Sequence, residues 1–128
     1  MREAARISAA PGPRVVYHDR IATAFTACAV LWALLGMGVG VYVAAELVWP
    51  GLGFDQPWLS FGRLRTAHTN LVLFGFGVSA LIGTSFYSVQ RTSHARLFAP
   101  QLAWLVFWGR QLTIVLGAWS LLAGWHGG

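Results

Sequence analysis

Apolar residues dominate three stretches of the chain, residues 21–48, 66–90 and 98–125, and polar residues collect at the N-terminal end and between these runs. Each run exceeds the roughly 20 helical residues that cross a bilayer core. The first carries no charge until Glu46, the second has none, and the third has only Arg110. A helix satisfies its own backbone hydrogen bonds in lipid. Strands of a transmembrane barrel would alternate in polarity over about 10 residues, and these runs do not. The pattern predicts an all-α membrane protein with three transmembrane helices.

The links carry helix breakers. "WPGLGFDQPWLSFGRLR" (residues 49–65) holds Pro50, Gly51, Gly53, Pro57 and Gly62, with Trp49, Phe54, Trp58 and Phe61 among them. Aromatic residues, Trp above all, favour the headgroup level. The second link, "QRTSHARLFAP" (residues 90–100), contains Arg91, His94 and Arg96. Residues 1–20 form a polar tail with Pro11 and Pro13. The tail is rich in Arg and poor in acids, as a mitochondrial presequence would be, but it is short and "PGP" interrupts a continuous helix. The apolar run behind it is too long for a signal-peptide core of roughly 7–15 residues. We read an uncleaved cytoplasmic tail. Arg2, Arg6, Arg14 and Arg20 precede the first helix, and Arg91 and Arg96 follow the second. The positive-inside rule places those regions in the cytoplasm, with Arg63, Arg65 and His68 at the opposite face.

Composition agrees with a membrane chain. The sequence is 56% hydrophobic and 10% charged, against about 25% charged residues in soluble domains. Its nine basic residues are all arginines, scattered among apolar runs rather than clustered on one polar face, so nucleic acid is not the expected partner. Membrane lipid is. The single Cys28 excludes an intrachain disulfide.

One constellation carries chemistry. In "FGRLRTAHTNLVLFGFG" (residues 61–77), Arg63 and Arg65 precede His68 at the mouth of an apolar helix. A histidine one turn inside lipid is costly without a partner, although it could simply be an interfacial residue. At 3.6 residues per turn, Gly75, Ser79 and Phe86 fall within about 20° of His68, and Gly83 lies about 60° away. A flat macrocycle held edge-on by an axial histidine needs small residues below its ligand. Ordinary small-residue helix packing explains the same glycines and serine. Arginines at this level suit the two propionates of a haem, or act as snorkelling anchors. Axial histidine, small face and arginines together point to a haem site.

These residues also resemble a known family. "FDQPWLSFGRLRTAHTNLVLFGFG" (residues 54–77) is similar to the entry into the second helix of subunit I of cbb3-type cytochrome c oxidases, the C-type branch of the haem–copper oxidases. "YHDRIATAF", "SFYSVQRTSHARLF" and "FWGRQLTIVL" resemble the same family in the same order, so the likeness covers residues 16–122. Nitric oxide reductase large subunits are similar around "HTN" but share the preceding loop less well. The resemblance implies that His68 is an axial ligand of the low-spin haem b. It also implies that the chain is the N-terminal part of a bundle of about twelve helices. The second axial ligand, the copper-binding histidines and the ligand of the high-spin haem b would then lie on later helices. Implied partners are those helices and membrane-anchored c-type cytochrome subunits, and the implied location is the bacterial inner (plasma) membrane. The function expected is passage of electrons from cytochrome c through haem b to an oxygen-reducing haem–copper centre, coupled to proton translocation. A fragment, a truncated gene model or a split subunit would all explain the length, and the 128 residues alone are expected to be inactive. The alternatives are a nitric oxide reductase segment and a packing module without catalytic function.

Other residues are read more plainly. Arg110 lies mid-helix where the family carries an apolar or aromatic residue, and no acid shares its depth. Its partner is expected to be a backbone carbonyl or a missing helix, and a sequence peculiarity or local water is the simpler account. His126 emerges on the side of His68 and is a weak competing ligand. His18 and His94 read as surface residues, and Glu46 as solvent-facing. Gly36 and Gly40 are spaced for close helix packing.

Overall fold

The computed structural model describes residues 15–125. Arg2, Arg6, Arg14 and His126 therefore lie outside the described residues. Helix α1 spans Asp19–Val48, α2 spans Phe61–Thr92 and α3 spans Pro100–Ala123. All three are long and apolar enough to cross a membrane.

Helix α2 starts earlier than the apolar run suggests. Two short 3₁₀ turns, Pro50–Gly53 and Pro57–Leu59, each open on a proline and use up the breaker residues. Phe54 and Asp55 take the left-handed conformation between them. Ser60 is extended, and helix follows from Phe61, so Arg63 and Arg65 belong to the helix and not to the loop. Between Phe61–Asn70 and Val78–Thr92, residues Leu71–Gly77 adopt a π-helical turn. Helix α3 ends in a Schellman arrangement: Gly124 (φ 78°) donates to Leu121, and Trp125 donates to Ser120.

Helix α2 packs along the full length of α1, and α3 leans mainly on the first half of α2. Few side chains in the spans are buried, between 11 and 17% of each apolar window, so most of the apolar surface faces outward, as lipid-facing or helix-covered surface does. A core forms at one end, where Ile21, Phe25, Ala103 and Phe107 meet. Phe25 is fully buried and stacks edge-on against Phe107 at 5.1 Å between ring centroids.

The same end is tied by polar contacts. Arg91 bonds Asp19 at 2.9 Å and lies over the rings of Tyr17 and Tyr87. Arg96 meets His18 Nε2 at 3.0 Å, and Gln90 accepts from the His18 backbone. The N-terminal end of α1 and the α2–α3 link thus share one end of the bundle, with Arg63, Arg65 and His68 towards the other.

Candidate functional site

His68 faces α1. Its Nδ1 lies 2.7 Å from the Gly36 carbonyl oxygen. A carbonyl only accepts, so Nδ1 donates, and the neutral ring then carries its lone pair on Nε2. Nε2 has no hydrogen-bond partner among the described residues and is not a buried unpaired atom. Gly40 makes room for the ring. A Cβ there would fall 2.7 Å from Cε1 and 3.0 Å from Nδ1. The Gly36/Gly40 pair is thus a packing face, as its spacing suggests, and it packs against Val72 and the imidazole.

Gly75 lies in the same α1–α2 seam. A Cβ on Gly75 would come within 2.9 Å of Trp32. Ser79 is completely buried and accepts from Arg110 Nη2 at 3.2 Å. Gly83 abuts Phe25 and Thr26. The small face below His68 is therefore filled by α1 in this structure, which matches the helix-packing explanation of its residues. Gly75 and Gly83 let α1 approach α2 closely, and Ser79 meets α3 through Arg110.

The two arginines separate. Arg63 Nη1 donates to the Leu122 carbonyl at 3.1 Å, and its guanidinium lies against Gly124. It is a cation on the C-terminal end of α3, where the helix dipole favours it. Arg65 is exposed and makes no side-chain hydrogen bond among the described residues. It lines a groove between α2 and the end of α3 with Phe61, Thr69, Asn70 and Leu121. His68 does not line that groove; its ring is turned to α1.

Arg110 has partners. Its Nη2 donates to the Phe74 carbonyl, inside the π-turn, and to Ser79. Of the expected partners, the structure shows the backbone carbonyl. Glu46 departs from expectation: it is only 8% exposed, with Oε2 unpaired and Oε1 against Gly53, because the first 3₁₀ turn folds back over it. Two contacts had no signal in the sequence, the Trp32 indole bonding Gln111 at 2.7 Å and the Gly40 notch around His68. No group of three or more His, Cys, Asp or Glu side chains that could hold a metal ion exists among the described residues. An axial haem ligand needs no such cluster, and a δ-protonated imidazole with a free Nε2 is the donor a haem iron takes.

An all-helical chain with three helices long and apolar enough to cross a membrane fits a multi-pass membrane subunit. Residues 20–128 match the family model for cytochrome c and quinol oxidase polypeptide I, and the chain belongs to that family. It is 55% identical over 108 residues to the cbb3-type cytochrome c oxidase subunit CcoN1 of Stutzerimonas stutzeri, covering 84% of this chain and 23% of that protein. A cytochrome c oxidase subunit 1 homolog of Agrobacterium tumefaciens is 44% identical over 118 residues, 92% of this chain and 22% of the relative. Cytochrome c oxidase subunit 1 of Rhodobacter capsulatus is 47% identical over 111 residues, 84% of this chain and 21% of the relative. The chain thus spans less than a quarter of the length of these relatives. The family is a haem–copper oxidase family of multi-pass membrane subunits, and the cbb3-type resemblance agrees with the name of the Stutzerimonas protein.

Proposed function

We propose that this chain supplies the first axial ligand of a low-spin haem b, through His68 Nε2, within subunit I of a cbb3-type oxidase. The observation that carries the reading is the Nδ1 contact to the Gly36 carbonyl. It fixes the tautomer, raises the basicity of Nε2 and holds the ring against α1, as outer partners of ligating histidines do. Gly40 and Gly75 support that contact by keeping α1 and α2 close. Arg65, with Arg63 nearby on the same helix, faces the propionates at the outer surface. Arg65 has its guanidinium free for this, whereas Arg63 divides its charge with the end of α3.

Haem bound there supplies a one-electron carrier, and the protein residues set its orientation and its electrostatic surroundings. Electrons arrive from membrane-anchored c-type cytochrome subunits and leave for a high-spin haem b and copper held by helices outside this chain. Oxygen is reduced there, with proton translocation. The N-terminus faces the cytoplasm of a bacterial cell, because Arg20, Arg91 and Arg96 fall at one end of the bundle.

The test is the complete complex. Copper in place of a second, non-haem iron, together with oxygen uptake driven by reduced cytochrome c, is the expected result. A non-haem iron with nitric oxide turnover and no oxygen uptake would refute the oxidase reading.

A further inference from the structure

Arg110 is a charge in the middle of a membrane helix. Its guanidinium meets two neutral groups, the Phe74 carbonyl and the buried Ser79 hydroxyl, while Nε is buried and unpaired. The ion pair found among the described residues, Arg91 with Asp19, lies at the end of the bundle where α1 begins. Arginine keeps its proton in proteins, so Arg110 contributes a cation with no acidic partner among the described residues. It is also held in place. Phe74 belongs to the π-turn of α2, where the regular i→i−4 ladder is broken and a side chain can enter.

That turn begins three residues after His68. Phe74 is six positions beyond the histidine, a rise of about 9 Å along the helix. Interior charges act over such distances with little screening by salt. We infer that Arg110 is a fixed interior cation, anchored on the π-turn of α2, that raises the reduction potential of the haem held at His68. The inference rests on the haem reading of His68. A neighbouring positive charge favours the less positive, reduced iron, which sets the direction.

The experiment is a redox titration of the low-spin haem in the complete oxidase, with optical and electron paramagnetic resonance spectra alongside. Arg110→Gln keeps a donor for the Phe74 carbonyl but removes the charge. Arg110→Lys keeps the charge and loses the fork. Arg110→Leu removes both and lowers the insertion cost of the helix, which provides a charge-free protein where the glutamine variant does not assemble. The midpoint potential should fall in the glutamine and leucine variants and stay near that of the parent with lysine, and the low-spin signal should persist in all three. An unchanged potential in the charge-free variants would overturn the inference. So would a fall with lysine but not with glutamine, because the hydrogen bond rather than the charge would then matter. His68→Ala separates the two levels. If low-spin haem survives that change, the ligand reading itself fails. If it is lost while the Arg110 variants titrate normally, only the role of Arg110 fails.

Discussion

Replacing Gly40 by alanine strikes the imidazole without touching its chemistry. The new methyl would stand 2.7 Å from Cε1 and 3.0 Å from Nδ1 of His68. Carbon atoms settle at about 3.5–4.0 Å, so the ring must retreat by roughly 0.8 Å. The Nδ1 contact to the Gly36 carbonyl is 2.7 Å long. Lengthened by that retreat, it passes the upper limit of about 3.2 Å for an N–H···O bond. An unpaired interior donor costs about 1–3 kcal/mol, and loss of an outer partner weakens metal–ligand affinity about 10- to 100-fold. Haem content per complex and a haem-binding titration of the complete subunit measure this. Gly38→Ala is the control on the same helix, because a Cβ there meets nothing within 4 Å. The expected outcome is weakened low-spin haem binding for Gly40→Ala and none for Gly38→Ala. Equal haem affinity and equal midpoint potential in both variants would refute the reasoning.

Arg65→Ala should lower the low-spin midpoint potential, since a cation beside a propionate favours the reduced haem, and a redox titration reads it. Arg63→Ala should destabilise the C-terminal end of α3 by about 1 kcal/mol through loss of its cation at the helix C-terminus, visible as faster proteolysis or hydrogen exchange around Leu122. Reporter fusions after Arg96 and after Gly128 should report opposite sides of the membrane, and accessibility of Arg96 and Trp58 from the same side would refute that topology. The 128-residue chain purified in detergent with added haem b and copper should show no cyanide-sensitive oxygen uptake, because His18 and His94 lie at one end of the bundle and His68 towards the other.

Much of the fold was legible because lipid imposes one solution. Apolar runs free of charge over the length of a bilayer core must be helices, and α1, α2 and α3 follow the three runs. The start of α2 was not legible. Polar Arg63 and Arg65 and the breaker Gly62 read as loop, yet Pro50 and Pro57 confine the irregular backbone to two short turns before Phe61. Helical spacing groups Gly75 with His68, and both meet α1 in the structure. It could not say that Trp32 and α1 fill that face, because what packs opposite a small residue is a tertiary fact. The π-turn at Leu71–Gly77 leaves no compositional mark, and the partner of Arg110 is a backbone carbonyl within it, so that contact was beyond residue patterns. Glu46 read as exposed because it stands near a helix end. Its burial comes from a fold-back of the chain that only the turn at Pro50–Gly53 reveals.

The most direct test of the account is the spectrum of the complete oxidase carrying His68→Ala. Alanine offers no ligand atom, and Gly75 and Ser79 provide no substitute nitrogen. With the polypeptide inserted and the complex assembled, the bis-imidazole low-spin haem signal should be absent while the high-spin haem and copper remain. A normal low-spin spectrum in that protein would contradict the assignment of His68 as an axial haem ligand.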